Sequence, residues 1–195
     1  MKFNEMNLDE KIVEAVTLMG FEDATDIQAR AIPLVLDGKD IIGRSSTGTG
    51  KTAAFGIPCL QMAYQNNWEK SSVLILSPTR ELAMQISDEL RKFSKFLPGV
   101  SIATIYGGQP MDTQIRQLKT AKIVVGTPGR VMDHMRRRTL RLDNLKLAIL
   151  DEADEMLNMG FHEDIVTILT DAPEQRQTVL FSATMPPAIL KLTKE

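Results

Sequence analysis

The stretch Ser45-Ser46-Thr47-Gly48-Thr49-Gly50-Lys51-Thr52 follows a short apolar run, Asp40–Arg44, and opens an amphipathic one. Small residues in such a loop let backbone N–H groups turn inward around phosphate oxygens. A helix that starts there adds its partial positive charge. In that setting Lys51 would neutralise the β- and γ-phosphates of a nucleotide, and Thr52 would place its hydroxyl on Mg²⁺. The strict spacing GxxxxGK[ST] is not met, because Ser45 occupies the first glycine position, but Gly48 to Thr52 is intact. Further on, the run Leu145–Leu150 ends in Asp151-Glu152-Ala153-Asp154. Carboxylates at the end of a buried apolar strand are costly unless a cation satisfies them. A phosphate-loop enzyme uses one carboxylate for Mg²⁺ and a second to orient the attacking water, and Asp151 and Glu152 suit those roles. Each feature alone also reads as something plainer: a Gly/Ser turn, or the acidic first turn of a helix.

These residues need strands to deliver them to one place. The sequence predicts strands at Asp40–Arg44, Val73–Leu76, Ile102–Tyr106, Ile123–Gly126, Leu145–Leu150 and Thr178–Phe181. Several are apolar on both faces, as strands buried between two helical layers are. Helical spacing predicts Leu8–Met19, capped by Asn7 and ended by Gly20. It also predicts Arg80–Phe96, Met111–Leu118, Arg130–Arg137 and Asp164–Leu169. A helix drawn from Gly50 to Tyr64 contains Pro58, which should kink or restart it. Strand and helix in alternation give an α/β fold, a doubly wound, mostly parallel sheet flanked by helices, with ligands at the carboxyl ends of its strands.

The chain has 195 residues, 43% hydrophobic and 25% charged, which fits one globular domain and excludes disorder, collagen and coiled coil. A net charge of −2 excludes a bulk basic surface as the means of gripping nucleic acid, though not local contacts. Cys59 is the only cysteine, so no internal disulfide forms, and with His134 and His162 alone beside it a Cys/His zinc site is not expected. The two histidines read as surface or cap residues, and Trp68 as a half-buried loop residue. The start of the chain lacks the apolar run of a signal peptide, and no run of about 18 apolar residues occurs. A reduced, cytoplasmic setting with no membrane partner is the expectation.

Asp-Glu-Ala-Asp at 151–154 carries a family resemblance. From Phe3 to Thr184 the sequence resembles the first RecA-like domain of a DEAD-box ATP-dependent RNA helicase, with the motifs in the family's order. The resemblance implies a RecA-like P-loop domain over residues 1–195, with an adenine-recognition element in about the first 29. That element resembles Gly20-Phe21-Glu22-Asp23-Ala24-Thr25-Asp26-Ile27-Gln28, with Phe3 upstream. The Gln28 amide offers one donor and one acceptor, which match N7 and the N6 amino group of adenine, and guanine's O6 would leave the acceptor unpaired. Phe3 could cover the base, and Thr25 could support the loop. The family usually has proline where Ala24 stands. ATP-binding residues implied are thus Phe3, Phe21, Thr25, Gln28, Ser46, Thr47, Gly48, Thr49, Gly50, Lys51 and Thr52, with Lys51, Asp151 and Glu152 catalytic and Thr52 and Asp151 holding Mg²⁺.

Three further stretches resemble the family's RNA-contacting motifs: Pro78-Thr79-Arg80, Gly107-Gly108 and Thr127-Pro128-Gly129-Arg130. All sit past strand ends, where hydroxyls, N–H groups and an arginine can hold the sugar-phosphate backbone without reading bases. Each alone also reads as a strand-to-helix turn. Ser182-Ala183-Thr184 resembles the motif coupling ATP state to strand separation, with hydroxyls able to bond Asp154 or Glu152. The resemblance implies a partner, the family's second RecA-like domain, which is absent from this sequence together with its arginine finger. The 195 residues are then expected to bind nucleotide, to hydrolyse it slowly and to unwind nothing alone. Three other readings stay open: a P-loop ATPase or kinase acting on a protein or metabolite, a DNA-translocating helicase, and a non-enzymatic nucleotide-gated docking module.

Overall fold

In the computed structural model the described residues are 1–45 and 50–192. Six strands form a single sheet: β1 (Ile41–Arg44), β2 (Val73–Leu76), β3 (Ile102–Ile105), β4 (Ile123–Gly126), β5 (Leu147–Leu150) and β6 (Gln177–Ser182). Their order is β1-β6-β5-β2-β4-β3. Every pairing between them is parallel, as the buried VLIL, IVVG and LAIL runs require. β1 lies at one edge, and there its burial alternates, with Ile42 facing out.

Helices cover both faces. On one side lie α1 (Glu10–Leu18), α2 (Asp26–Leu36), α3 (Lys51–Gln65) and α4 (Arg80–Phe93). They pack Ile12, Ile32, Phe55, Ile86 and Phe93 against Val73, Ile75 and Phe181 of the sheet. On the other lie α5 (Met111–Leu118), α6 (Pro128–Arg136), α7 (Ala153–Asn158), α8 (His162–Asp171) and α9 (Pro187–Leu192). There Leu118, Val131, Met156 and Ile168 meet the alternate sheet residues Leu74, Leu76 and Leu150. The doubly wound α/β fold read from the sequence is therefore present.

Some local expectations need correction. Asp9, not Asn7, caps α1, its carboxylate accepting from Lys11 N at 2.9 Å. Asn7 instead sits in the left-handed region at φ 57°, which asparagine tolerates, and its carbonyl accepts from Gln61 Nε2 at 3.2 Å. Gly20 ends α1 as expected, with Phe21 N reaching back to Val16 O at 3.0 Å. Pro58 does not restart the third helix: α3 runs unbroken from Lys51 to Gln65, and burial on nearly every side holds it in place. Cys59 is a buried free thiol within that helix, and burial pushes its pKa far up. His162 is exposed and Trp68 half-buried, as expected.

Candidate nucleotide and RNA site

Parallel pairing brings all strand C-termini to one edge. Leu150 pairs with Leu76, Leu76 with Gly126, and Gly126 with Ile105, while Arg44 pairs with Ser182. Every motif read from the sequence beyond β1 begins within two residues of this line. Ser45 extends the ladder, its N–H donating to Ser182 O at 3.1 Å. Ser46, Thr47, Gly48 and Thr49 lie outside the described residues.

Lys51 opens α3 next to the end of β5. Its ammonium lies 2.8 Å from Asp151 Oδ1 and 3.6 Å from Glu152 Oε2, with side-chain exposures of only 5%, 0% and 17% for the three residues. Burial pushes the Asp151 carboxyl pKa above its ordinary value, and the Lys51 charge pulls it part of the way back. Asp151 N donates to Leu76 O at 2.9 Å, which fixes the turn out of β5. Asp151 Oδ2 is buried without a hydrogen-bond partner among the described residues. An orphaned carboxylate oxygen beside a lysine is suited to a cation. Among the described residues no group of three or more His, Cys, Asp or Glu could hold a metal, so a cation here would draw its other ligands from phosphate and water, as Mg²⁺ commonly does. Glu152 stands in the left-handed region, φ 51° and ψ 52°, as N-cap of α7, a strained placement of the kind that clusters at functional sites. Thr52 is half-buried in the first turn of α3.

Asp154, two residues on, faces β6. Thr184 donates to its Oδ2 from both N (3.1 Å) and Oγ1 (2.9 Å). Burial raises the Asp154 pKa, but these hydrogen bonds outweigh it and hold the carboxyl below its ordinary value. Ser182 Oγ donates to Thr184 O at 2.6 Å. The structure thus joins Asp154, Thr184 and Ser182, and of the two carboxylates considered, Asp154 is the Thr184 partner. A cleft of about 380 Å³ lies alongside, lined by Ser45, Pro78, Thr79, Glu152 and Asp154 among others.

The Gln28 element is tied to the phosphate loop. Thr25 and Gln28 form a capping box at the start of α2, Thr25 N donating to Gln28 Oε1 at 2.9 Å. Gln28 Nε2 donates across to Gly50 O at 3.1 Å. Gly50 is itself required, since its φ is 94° and a Cβ there would meet Gln28 Nε2 at 2.7 Å. Phe21 is exposed, its ring centroid 6.4 Å from that of Phe93. Phe3 departs from expectation: it is 2% exposed and packed in the core, in a short 3₁₀ turn. Its ring presents no free face to a base, because the apolar interior beside α1 takes it up.

The three RNA-like motifs follow β2, β3 and β4. Thr79 caps α4, its hydroxyl accepting from Leu82 N at 3.1 Å with its own proton left to donate, and Pro78 is buried. Arg80 is exposed, with its guanidinium 5.7 Å from the Tyr106 ring centroid. Gly107 and Gly108 are exposed. Thr127 caps α6 with its hydroxyl unused by the cap, Pro128 occupies the first turn, and Gly129 is half-buried. Arg130 is turned inward, its side chain 14% exposed, 3.5 Å from Gln114 Oε1 and 3.9 Å from Asp133. His134, expected as a surface or cap residue, is fully buried between Gln114 Oε1 and Thr139 Oγ1, each 2.8 Å away. Sequence reasoning missed Gln114. Its signal was present: it lies one turn before the buried Leu118, a polar residue on the apolar stripe of α5.

Comparison with known proteins agrees with this edge of motifs. The DEAD/DEAH box helicase family matches residues 25–192. An ATP-dependent RNA helicase CshA of Listeria monocytogenes is 56% identical over 98% of this chain. A DEAD-box ATP-dependent RNA helicase CshA of Geobacillus kaustophilus is 51% identical over 98%. The chain spans only 36% and 41% of these relatives' lengths. The crystal structure of a DEAD box protein from Methanococcus jannaschii superposes with a TM-score of 0.94 at 49% identity, covering the whole of this chain and 53% of that one. With its helix-flanked parallel sheet matching these RecA-like domains, its motifs at one sheet edge and most of its length matched by the family, the chain belongs to the DEAD/DEAH box helicases.

Proposed function

We propose that this chain is the ATP- and Mg²⁺-binding half of an ATP-dependent RNA helicase, which remodels short RNA duplexes together with a second RecA-like domain. The observation that carries the reading is the buried Lys51–Asp151–Glu152 cluster at the sheet edge that also presents the three backbone-gripping loops. Lys51 would exchange part of its contact with the carboxylates for phosphate oxygens. Asp151 and Thr52 would hold Mg²⁺, which neutralises phosphate charge when bound. Glu152 would orient the attacking water and accept its proton. Gln28 would read adenine with the amide N–H and lone pair not used by Gly50 and Thr25. Asp154, through Thr184 and Ser182, would pass the nucleotide's state to β6. Exposed Arg80, Gly107 and Gly108, with half-buried Thr127 and Gly129, would hold RNA by its sugar-phosphate backbone, without sequence preference. Alone, the chain would turn ATP over slowly and separate no duplex.

The test is a titration of labelled ADP and GDP, with Mg²⁺, into the wild type and Gln28→Ala. Adenine preference in the wild type that vanishes in the variant supports the reading. Equal binding of both nucleotides by the wild type would reduce the site to a generic phosphate loop.

A further inference from the structure

One side chain touches both of the far RNA-facing loops, and no motif includes it. Gln114 is fully buried on α5. Its Nε2 donates to Tyr106 O at 2.8 Å and to Gln109 Oε1 at 2.9 Å, one on each side of Gly107-Gly108. Its Oε1 faces His134 Nε2 at 2.8 Å and Arg130 Nη1 at 3.5 Å, both on α6, which Thr127-Pro128-Gly129 opens. The amide is saturated, with two donors and two acceptor positions all engaged. That fixes its orientation, and with it the histidine: Nε2 must carry a proton to meet Oε1, and Nδ1 is left for the Thr139 hydroxyl. The same carbonyl-bearing residue reaches the third loop, because the Tyr106 ring lies beneath the Arg80 guanidinium. A buried, fully satisfied polar network of this kind has one low-energy arrangement, and breaking it leaves desolvated groups unpaired.

We propose that Gln114 is a positioning residue for RNA: it sets the spacing of the loops after β3 and β4, and through Tyr106 the aim of Arg80, so that all three meet one stretch of sugar-phosphate backbone. The proposal rests on the RNA reading above. Gln114 touches no RNA itself. Arg130 belongs to the clamp rather than to the RNA surface, which accounts for its inward guanidinium.

Two variants of the 195-residue chain separate the halves of the network. Gln114→Leu keeps the volume and removes every hydrogen bond. Gln114→Glu keeps an acceptor for His134 and Arg130 but cannot donate to Tyr106 O or Gln109. Amide hydrogen exchange should rise at both 107–109 and 127–130 in the first variant, and at 107–109 alone in the second. Affinity for a fluorescein-labelled single-stranded uridine oligonucleotide, read by anisotropy, should fall roughly tenfold in Gln114→Leu, while ADP affinity stays unchanged. If the wild type binds the oligonucleotide and Gln114→Leu binds it equally, the positioning role is overturned and the RNA reading stands. If RNA and ADP affinities fall together, Gln114 serves only the fold, and the proposal is again overturned. If the wild type does not bind the oligonucleotide at all, the RNA reading falls and takes this role with it.

Discussion

A histidine with no solvent, two neutral hydrogen-bond partners and two arginines near it is a sensor of acid whether or not the protein uses it as one. Burial, then Arg130, lowers the His134 pKa, Asp133 opposes, and Arg137 adds to the lowering. The unfolded chain takes up the His134 proton near the ordinary value of about 6.5, and the folded chain only at lower pH. The stability His134 contributes is therefore complete above about pH 6.5 and is lost as pH falls towards the folded value. Melting midpoints of the wild type should drop between about pH 7 and about pH 5.5, and His134→Gln should flatten that drop. Parallel slopes in the two proteins would show that other groups carry the acid sensitivity. At this scale the charged residues were the legible ones. Lys51, Asp151, Glu152 and Asp154 stand out in the sequence because burying a charge needs a partner, and the structure supplies each partner. Phe3 and His134 were harder to place because an aromatic and a histidine fit inside or outside equally well, and only tertiary packing decides.

Among the elements, the strands were read to within two residues, helped by three that are short apolar runs on both faces, the pattern of strands buried between two helical layers. Helix ends were less legible. Asn7 and Asp9 are both good caps, and the choice fell to the one whose carboxylate reaches Lys11 N. The join between β4 and α6 shows how tightly the elements fix the loops. A Cβ on Gly126 would lie 2.9 Å from Ile105 O, a backbone atom of β3, and 2.6 Å and 2.9 Å from the Ile105 and Val131 side chains. Backbone cannot swing aside, so Gly126→Ala must part β3 from β4 at the point where Tyr106 and Thr127 leave the sheet. Overpacking of this sort costs about 1–3 kcal/mol, or roughly 2–4 °C of melting midpoint for each kcal/mol in a chain of this size. RNA affinity should fall with it, and ADP affinity, set at β1, α3 and the end of β5, the last of them two strands away, should hold. An unchanged midpoint would show that the β3 edge yields without cost.

Over the whole molecule, the parallel sheet turns motifs scattered along the chain into one edge, and that convergence was legible because strand–helix alternation permits little else. What the chain can do alone follows from charge. Lys51 faces two carboxylates, so when both are ionised the trio is net negative. Phosphoryl transfer needs positive charge on the oxygens as bonds to phosphorus loosen, and Lys51 is already partly committed to neutralising Asp151 and Glu152. On the proposed function the deficit would be made up by an arginine from a second RecA-like domain, and such a residue is worth on the order of 10³–10⁵ in rate. The purified 195 residues should therefore bind Mg²⁺·ATP yet release phosphate barely above background. On the proposed function, RNA would accelerate turnover by closing two domains around both ligands, so a single-stranded RNA should not speed up these 195 residues, which form a single sheet domain. Phosphate release measured with and without RNA, at saturating ATP, checks this, with Glu152→Gln as the zero. RNA-stimulated steady turnover above that zero would mean that the residues of this one sheet edge supply the missing positive charge themselves.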